Sequence, residues 1–425
     1  MRSVIQARTI GEGIGSPVDD AHLMRRADAA QIEAALTEGR AQLLAMFEGF
    51  ARCLGPRGLQ IGFDPTLNLP LWELGHIGWF EEWWIARNRD RTRGIGYDTA
   101  LPRSRSLLDD ADAWYDSANV PHENRWELTL PDAASTRNYL AAVREQTLLL
   151  LRESSPGDDA LYFFRLVLFH EDMHREAWLM MAQQLGLDLG IEGKTLAARH
   201  ADVVAGDWRI TGSLPGRFGT GEPGFVFDNE LPPHETMLDD FEIDRAPVAW
   251  RHYLPFIEAG GYDDASLWSP VGWRWRQQHG RGMPLHLRRH ADGWQCCRFG
   301  IWLPLDPDAP AVHLTQHEAE AWCRFAGRRL PTEFEWEAAA LLAAEQGERF
   351  DWGSVWEWTA SPFAPYAGFT PHPYCEYSAP FFDGRPVLRG GSWATAPRMR
   401  HPRYRNYFGA GRNDVFAGFR SCAPK

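Results

Sequence analysis

His170-Glu-Asp-Met-His174 is the segment of this sequence best equipped for chemistry. Two histidines four residues apart on a helix lie one turn from each other on the same face, where one metal ion can be held by both. Imidazole binds iron, copper, nickel and zinc alike, so the spacing alone does not choose the metal. The same five residues also fit H-E-x-x-H, the zinc-protease helix in which the glutamate, here Glu171, is the general base. A third ligand has to come from elsewhere, and His76 in Leu71-Trp-Glu-Leu-Gly-His-Ile-Gly-Trp-Phe-Glu81 is the candidate. Three histidine ligands leave coordination positions open for a substrate and dioxygen, as a closed structural site does not. The plainer alternatives are a hydrogen-bonded core histidine at 76 and a solvated helix face at 170–176.

The elements that must position these residues are readable from hydrophobic periodicity. Amphipathic patterns over residues 28–53, 72–87, 135–152 and 158–185 predict four helices, and bundles of this kind build metal sites in their cores. A loop-like stretch, 92–130, separates the second from the third. From about Val203 the texture changes to short β-like pieces divided by Gly and Pro, with a helical pattern at 315–326. The expected fold is α+β: an N-terminal four-helix bundle in residues 1–198 that carries the metal ligands, and a loop-rich second domain in 199–425.

Composition narrows the partners. Of the 425 residues 44% are hydrophobic and 24% charged, the balance of a packed globular enzyme. A net charge of −13 argues against nucleic acid. No apolar run suits a membrane span, and the opening MRSVIQARTIGEGIGSPVDD lacks a signal-peptide core, so a cytoplasmic location is expected. Six cysteines without CxxC spacing indicate reduced thiols, and twenty tryptophans supply aromatic faces that attract cations. The oligomeric state cannot be read from these features.

Four ordered motifs in the second half carry a family likeness: Gly327-Arg-Arg-Leu-Pro-Thr-Glu-Phe-Glu-Trp-Glu337, Val355-Trp-Glu-Trp-Thr-Ala-Ser361, Leu388-Arg-Gly-Gly-Ser-Trp393 and Phe416-Ala-Gly-Phe-Arg420. They resemble the formylglycine-generating-enzyme-like domain, a C-type-lectin-related fold. The copper-binding cysteines that such oxidases carry after this RGGS segment are missing from 393–400. A DinB-like bundle with HxxxH, an upstream Gly-His-x-x-Trp-Phe (75–80) and this second domain together resemble the ergothioneine-pathway sulfoxide synthases. That resemblance implies iron(II) held by His76, His170 and His174, dioxygen as co-substrate, and joining of a sulfur donor to C2 of hercynine, N-trimethylhistidine. It also makes a zinc protease the remote alternative, beside a binding protein with a dead site.

Departures from the family bear on the substrates. Met173 stands where many relatives have a hercynine-contacting Gln. In relatives that take γ-glutamylcysteine, Asn-Trp-Asp precedes a substrate-binding Arg. Here the stretch is Asn406-Tyr-Phe-Gly-Ala-Gly-Arg412, with Phe408 at the place of the carboxylate that meets the donor's ammonium group. The segments LNLPLWELGHIGWFEEWW, YFFRLVLFHEDMHREA and ASPFAPYAGFTPHPYCEYS resemble the selenoneine synthase branch, which joins a selenosugar to hercynine. The resemblance implies further site residues. Tyr374 and Tyr377 are the candidates for a proton-donating tyrosine near bound oxygen, and Asn406 for the hercynine carboxylate. Trp79, Trp393, Tyr407 and Phe416 offer aromatic faces to the trimethylammonium. Arg412 serves donor hydroxyls or pairs with Asp414, and the acidic run 333–337 and Val355–Thr359 serve the scaffold.

Overall fold

The computed structural model describes residues 17–190, 207–211 and 214–424; the boundary expected at 198/199 lies outside the described residues. The first half is a helical bundle. A short α1 (Pro17–Arg25) leads into α2 (Ala29–Leu54), which starts on a capping box between Asp28 and Gln31. Next come α3 (Pro70–Trp84), α4 (Ala111–Tyr115), α5 (Ala133–Arg152) and α6 (Asp158–Leu185). Asp132 caps α5 through the Ser135 amide, and Gly186 ends α6 in the left-handed region at φ 65°. Helices α2, α3, α5 and α6 form the predicted bundle. The second one begins earlier and stops sooner than its periodicity suggests, because Pro70 is suited to the first helical position and the chain leaves the core after Trp84. The stretch 92–130 is not simply a loop: it holds α4, which packs on α3, and two 3₁₀ turns, Arg91–Gly96 against α6 and His122–Trp126.

Helix α3 is apolar on every side and almost wholly buried, as befits the innermost helix of a bundle. Its polar side chains therefore all need partners. Glu82 takes the Tyr139 hydroxyl (2.7 Å), the Ser106 hydroxyl (2.6 Å) and the Leu107 amide (2.6 Å). Glu81 joins Arg40 of α2 (2.6 Å) and Arg144 of α5 (2.7 Å), and both arginines also hold Glu171 of α6 (2.9 and 2.7 Å). Burial works to raise the pKa of Glu81, yet Arg144 and Arg40 outweigh it and hold it at about 2. Two arginines and two glutamates thus cancel their charge inside the bundle, with one member on each of the four helices.

Among the described residues the second half contains small sheets, antiparallel except for one parallel pair, and four α-helices. Strands β1 (Asp207–Ile210) and β4 (Phe241–Asp244) form one ribbon, β2 (Leu214–Phe218) and β3 (His234–Leu238) another. Helices α7 (Trp250–Glu258) and α8 (Pro270–His279) precede a meander of β5 (Leu287–His290), β6 (Gly293–Arg298) and β7 (Ile301–Pro304). Helices α9 (Gln316–Phe325) and α10 (Glu333–Gln346) follow. A four-stranded sheet comes last, in the order β10 (Asn406–Tyr407), β9 (Pro386–Arg389), β8 (Trp356–Pro362), β11 (Ala417–Gly418). The family motifs are spent on holding it together. Glu333 takes Arg389 and Arg405, Glu357 takes Arg420 and the Trp336 indole, and Trp356 and Trp358 are fully buried. Among the described residues no helix is long and apolar enough to cross a membrane.

Helix α6 carries the link between the halves. At about 100° per residue, Asp172, Glu176 and Gln183 share the side of α6 turned away from His170 and His174. Asp172 receives Arg398 through two bonds (2.6 and 2.9 Å). Gln183 donates to the Cys297 carbonyl (2.9 Å) and accepts from the Phe299 amide (2.8 Å). Glu176 Oε1 accepts three bonds, from Trp356 Nε1 (2.8 Å), Ser392 Oγ (2.6 Å) and Thr395 Oγ1 (2.8 Å). Glu176→Ala leaves three buried donors without an acceptor, at about 1–3 kcal/mol each, and is expected to destabilise the protein by about 3 kcal/mol or more. Glu176→Gln keeps an oxygen in place and should lose far less. Chemical denaturation of the two variants measures the gap, and equal losses would show that the three bonds do not tie the halves together.

Candidate metal centre

Helices α3 and α6 bring His76, His170 and His174 together, with one ring nitrogen of each lying within 4.8 Å of the others. His76 and His170 are 3% exposed, whereas the His174 side chain keeps 18% of its surface open, so the approach from outside is on its side. Burial, and then the neighbouring histidines, push the pKa of His76 and of His170 well below the ordinary value, which keeps both rings neutral. Neutral imidazole is the form that binds a metal.

The ring orientations of His76 and His174 are set from outside the cluster. His76 Nδ1 lies 2.8 Å from the Tyr115 carbonyl, which can only accept, so His76 donates from Nδ1 and leaves Nε2 with a lone pair. His174 Nδ1 lies 2.6 Å from Glu73 Oε1, which leaves its Nε2 facing the cluster in the same way. His170 stacks flat on Phe80, with ring centroids 3.5 Å apart. His170 Nε2 and His174 Nε2 stand 3.2 Å apart. Two lone pairs at that distance repel unless a proton or a cation lies between them, and metal to nitrogen bonds of ~2.0–2.1 Å let one ion reach both. Carboxylate and carbonyl partners behind ligating histidines are the usual support of such sites. The donor set therefore fits a three-histidine metal centre.

Glu171 does not face this cluster. It sits one residue, about 100°, round α6 and is consumed by Arg40 and Arg144. A zinc-protease base would have to stand beside the metal, so the H-E-x-x-H reading of 170–174 lacks its catalytic carboxylate.

The remaining expected residues fall into three places. Tyr374 comes from the second domain to the metal side: its ring packs 4.9 Å from Phe80 and 6.3 Å from His170. Burial raises its pKa, so the hydroxyl stays protonated and able to donate. Tyr377 lies one ring further off, 5.9 Å from Tyr374, stacked on Phe227 and bonded to the Tyr404 hydroxyl at 3.4 Å. Trp79 stacks on His76 (5.8 Å) and gives its indole N–H to Asp112 (2.7 Å), and Met173 is half-buried against the core.

The 406–412 segment is largely occupied with itself. Asn406 Oδ1 accepts the Tyr407 amide (2.8 Å), and the Tyr407 ring lies flat on Phe363 at 4.0 Å. Arg412 pairs with Asp414 (2.6 Å), one of the two roles expected for it, and covers the Phe408 ring at 5.2 Å. Two residues of separation make that ion pair locally cheap in chain entropy. Trp393 and Phe416, 4.9 Å apart, line a different cavity, whose walls do not include the three histidines.

Sequence reasoning passed over Glu73 and Tyr115. Glu73 is detectable in principle, as an acid one helical turn before His76 in an apolar helix. Tyr115 contributes a backbone carbonyl, which residue type does not reveal.

Comparison with known proteins bears on the whole chain. Residues 35–177 match the DinB superfamily, and residues 212–354 and 352–424 match the sulfatase-modifying factor enzyme 1-like domain. The chain is similar to the hercynine oxygenase of Mycolicibacterium smegmatis, 34% identical over 411 residues, which cover 84% of this chain and 91% of that protein. It is equally similar to the hercynine oxygenase of Mycobacterium tuberculosis, 34% identical over 408 residues, with 84% and 91% covered. The formylglycine-generating enzyme of Thermomonospora curvata matches over 160 residues at 32% identity, 33% of this chain and 52% of that protein.

If Glu73 fixes His174, its loss should loosen the metal without unfolding the bundle. Glu73→Gln is expected to weaken metal affinity about tenfold and Glu73→Ala up to about a hundredfold in competition against a chromogenic chelator. Wild-type affinity in both variants would show that His174 needs no such support.

Proposed function

Because the chain belongs to the hercynine oxygenase family of ergothioneine-pathway sulfoxide synthases, we propose that it is an iron(II)- and dioxygen-dependent enzyme that joins a selenosugar to C2 of hercynine. The observation that carries the reading is the cluster of three histidine ring nitrogens within 4.8 Å of one another, with Glu73 behind His174 and the Tyr115 carbonyl behind His76. His76, His170 and His174 would hold iron, which when bound supplies a redox-active centre with positions left for both substrates and dioxygen. Gathering the partners there replaces a multi-body encounter by an oriented local reaction.

The protein's own residues do the rest. Phe80 keeps the His170 ring flat, and Tyr374 presents a protonated hydroxyl from the second domain. The imidazole C2–H and the donor's Se–H bonds are lost, a C–Se bond forms, and dioxygen takes up the two electrons and two protons so released.

The choice of donor rests on the 406–412 segment. Phe408 supplies no carboxylate for a donor's ammonium group, and Arg412 already has Asp414 as its anion. A neutral sugar needs neither. The second reading, a thiol donor and C–S bond formation, is favoured by membership of the sulfoxide synthase family and differs only in what fills this region.

His170→Ala and His174→Ala are expected to lose iron(II) and turnover together, and unchanged iron stoichiometry in both would overturn the ligand assignment. Protein loaded anaerobically with iron(II) and hercynine, then given air with a selenosugar, its thiosugar analogue, cysteine or γ-glutamylcysteine, should turn over fastest with the selenosugar. Fast turnover with γ-glutamylcysteine and none with the sugars would leave the thiol reading in its place. Phe408→Asp should shift the ratio of kcat/KM values toward amino-acid thiols.

A further inference from the structure

Tyr374 and Tyr377 sit on a surface segment, 372–378, whose regular structure amounts to one 3₁₀ turn, Cys375–Tyr377. Cys375 and Glu376 at its crest are exposed, whereas Ser378 at its end is fully buried. The Tyr374 ring meets Phe80, Trp84 and His170 through ring contacts at 4.9, 6.2 and 6.3 Å. Contacts of that kind have no direction strong enough to fix an irregular segment against the loss of its backbone freedom. Where Tyr374 stands is therefore decided by what anchors the segment.

The anchor is a single carboxylate. Asp228 accepts from the Ser378 hydroxyl on Oδ1 and from the His372 amide on Oδ2 (3.4 Å), four residues after Tyr374 and two before it. Asn229 Nδ2 adds a bond to the Ser378 hydroxyl (3.1 Å). Asp228 is 3% exposed, and the groups that face it are the Ser378 hydroxyl, the His372 and Asn229 amides and the like-charged Glu230, with no cation among them. A buried carboxylate served by neutral donors alone is a poor source of stability, because those bonds scarcely repay its lost hydration. What it provides is placement, since it takes both ends of one segment.

The anchor is itself held fast. Asp228 belongs to the 3₁₀ turn Asp228–Glu230, whose other members are committed elsewhere. The Asn229 carbonyl accepts from Arg405 (2.6 Å), which Glu333 at the start of α10 holds by two bonds (2.8 and 3.0 Å). Glu230 takes both arms of Arg25 from α1 (2.6 and 2.8 Å). A second arm reaches the segment from the metal helix: the Tyr162 hydroxyl lies 3.1 Å from His372 Nδ1, and Tyr162 precedes His170 on α6 by about 12 Å of helix rise. The start of the segment is thus referred to the same helix as two of the metal ligands.

We propose that Asp228 is a positioning residue of the metal centre, which seats segment 372–378 by both ends and thereby holds the Tyr374 ring over Phe80 and His170. Its effect on turnover rests on the reading of Tyr374 as the proton donor under Proposed function, whereas the seat is a matter of geometry alone. Misplacing a reacting group by about 1 Å can cost on the order of a hundredfold in rate, so the seat matters more to the chemical step than to binding.

The seat is read by fluorine NMR of the whole metal-free chain labelled with fluorotyrosine, in which Tyr374→Phe and Tyr253→Phe assign two signals. Asp228→Ala is expected to move and narrow the Tyr374 signal and to leave that of Tyr253, which packs on Phe256 and Tyr262, in place. Ser378→Ala, which removes one of the two anchoring bonds, should move the Tyr374 signal less, and it carries the test if Asp228→Ala fails to fold. In iron-loaded protein given hercynine and the selenosugar, Asp228→Ala should lower kcat about tenfold or more while KM for hercynine and iron(II) affinity stay within about twofold. An unmoved Tyr374 signal in both variants, or a fall in iron affinity as large as the fall in kcat, would overturn the proposal. So would a moved signal with unchanged kcat. If the wild-type chain turns over none of the donors, the proposed reaction fails while the NMR comparison still decides the seat.

Discussion

The ring of charge formed by Arg40, Glu81, Arg144 and Glu171 fixes the bundle on which everything else depends. Each of the four long helices contributes one member, and each member touches two others. Taken as stability, such a buried network is a doubtful gain, since the cost of removing four charges from water is large. Its value lies in register. A rotation of α3 or α6 about its own axis would strand a buried glutamate away from both arginines. With Glu81 and Glu171 pinned, His76 on α3 and the pair on α6 have one way to face each other.

The same device explains why Glu171 is adjacent to a metal ligand in sequence and absent from the site in space. A helix distributes neighbours over different directions, and α6 uses three of them. One side carries the histidines, the next the charge ring, and the side opposite the histidines carries Asp172, Glu176 and Gln183 into the second domain. One 28-residue helix thereby carries the metal ligands, the bundle's lock and the domain interface.

This layering also determines what could be read in the sequence. His170 and His174 were legible because their relation lies within one helix, and the four bundle helices because apolar period survives in the residues themselves. His76 was legible from its apolar flanks together with the family likeness. The direction of Glu171 was not, since it is decided by arginines 131 and 27 residues away. Tyr115 escaped because the functional atom is backbone. The Arg412–Asp414 pair was legible as one of two alternatives because its partner is two residues on, whereas the cavity that Trp393 and Phe416 line is assembled from segments far apart in the chain.

The three bonds from Trp356, Ser392 and Thr395 onto one oxygen of Glu176 have a consequence for how such a protein can change over time. The two halves look like exchangeable modules, each matched by its own domain family. Yet a bundle that recombined with a foreign second domain would keep a buried carboxylate whose hydrogen-bond donors had been left behind, while the new partner's donors faced nothing. Only exchanges that carry both sides of this seam would fold, so inheritance of the metal helix and of the RGGS loop is physically coupled even though neither residue set performs the other's task.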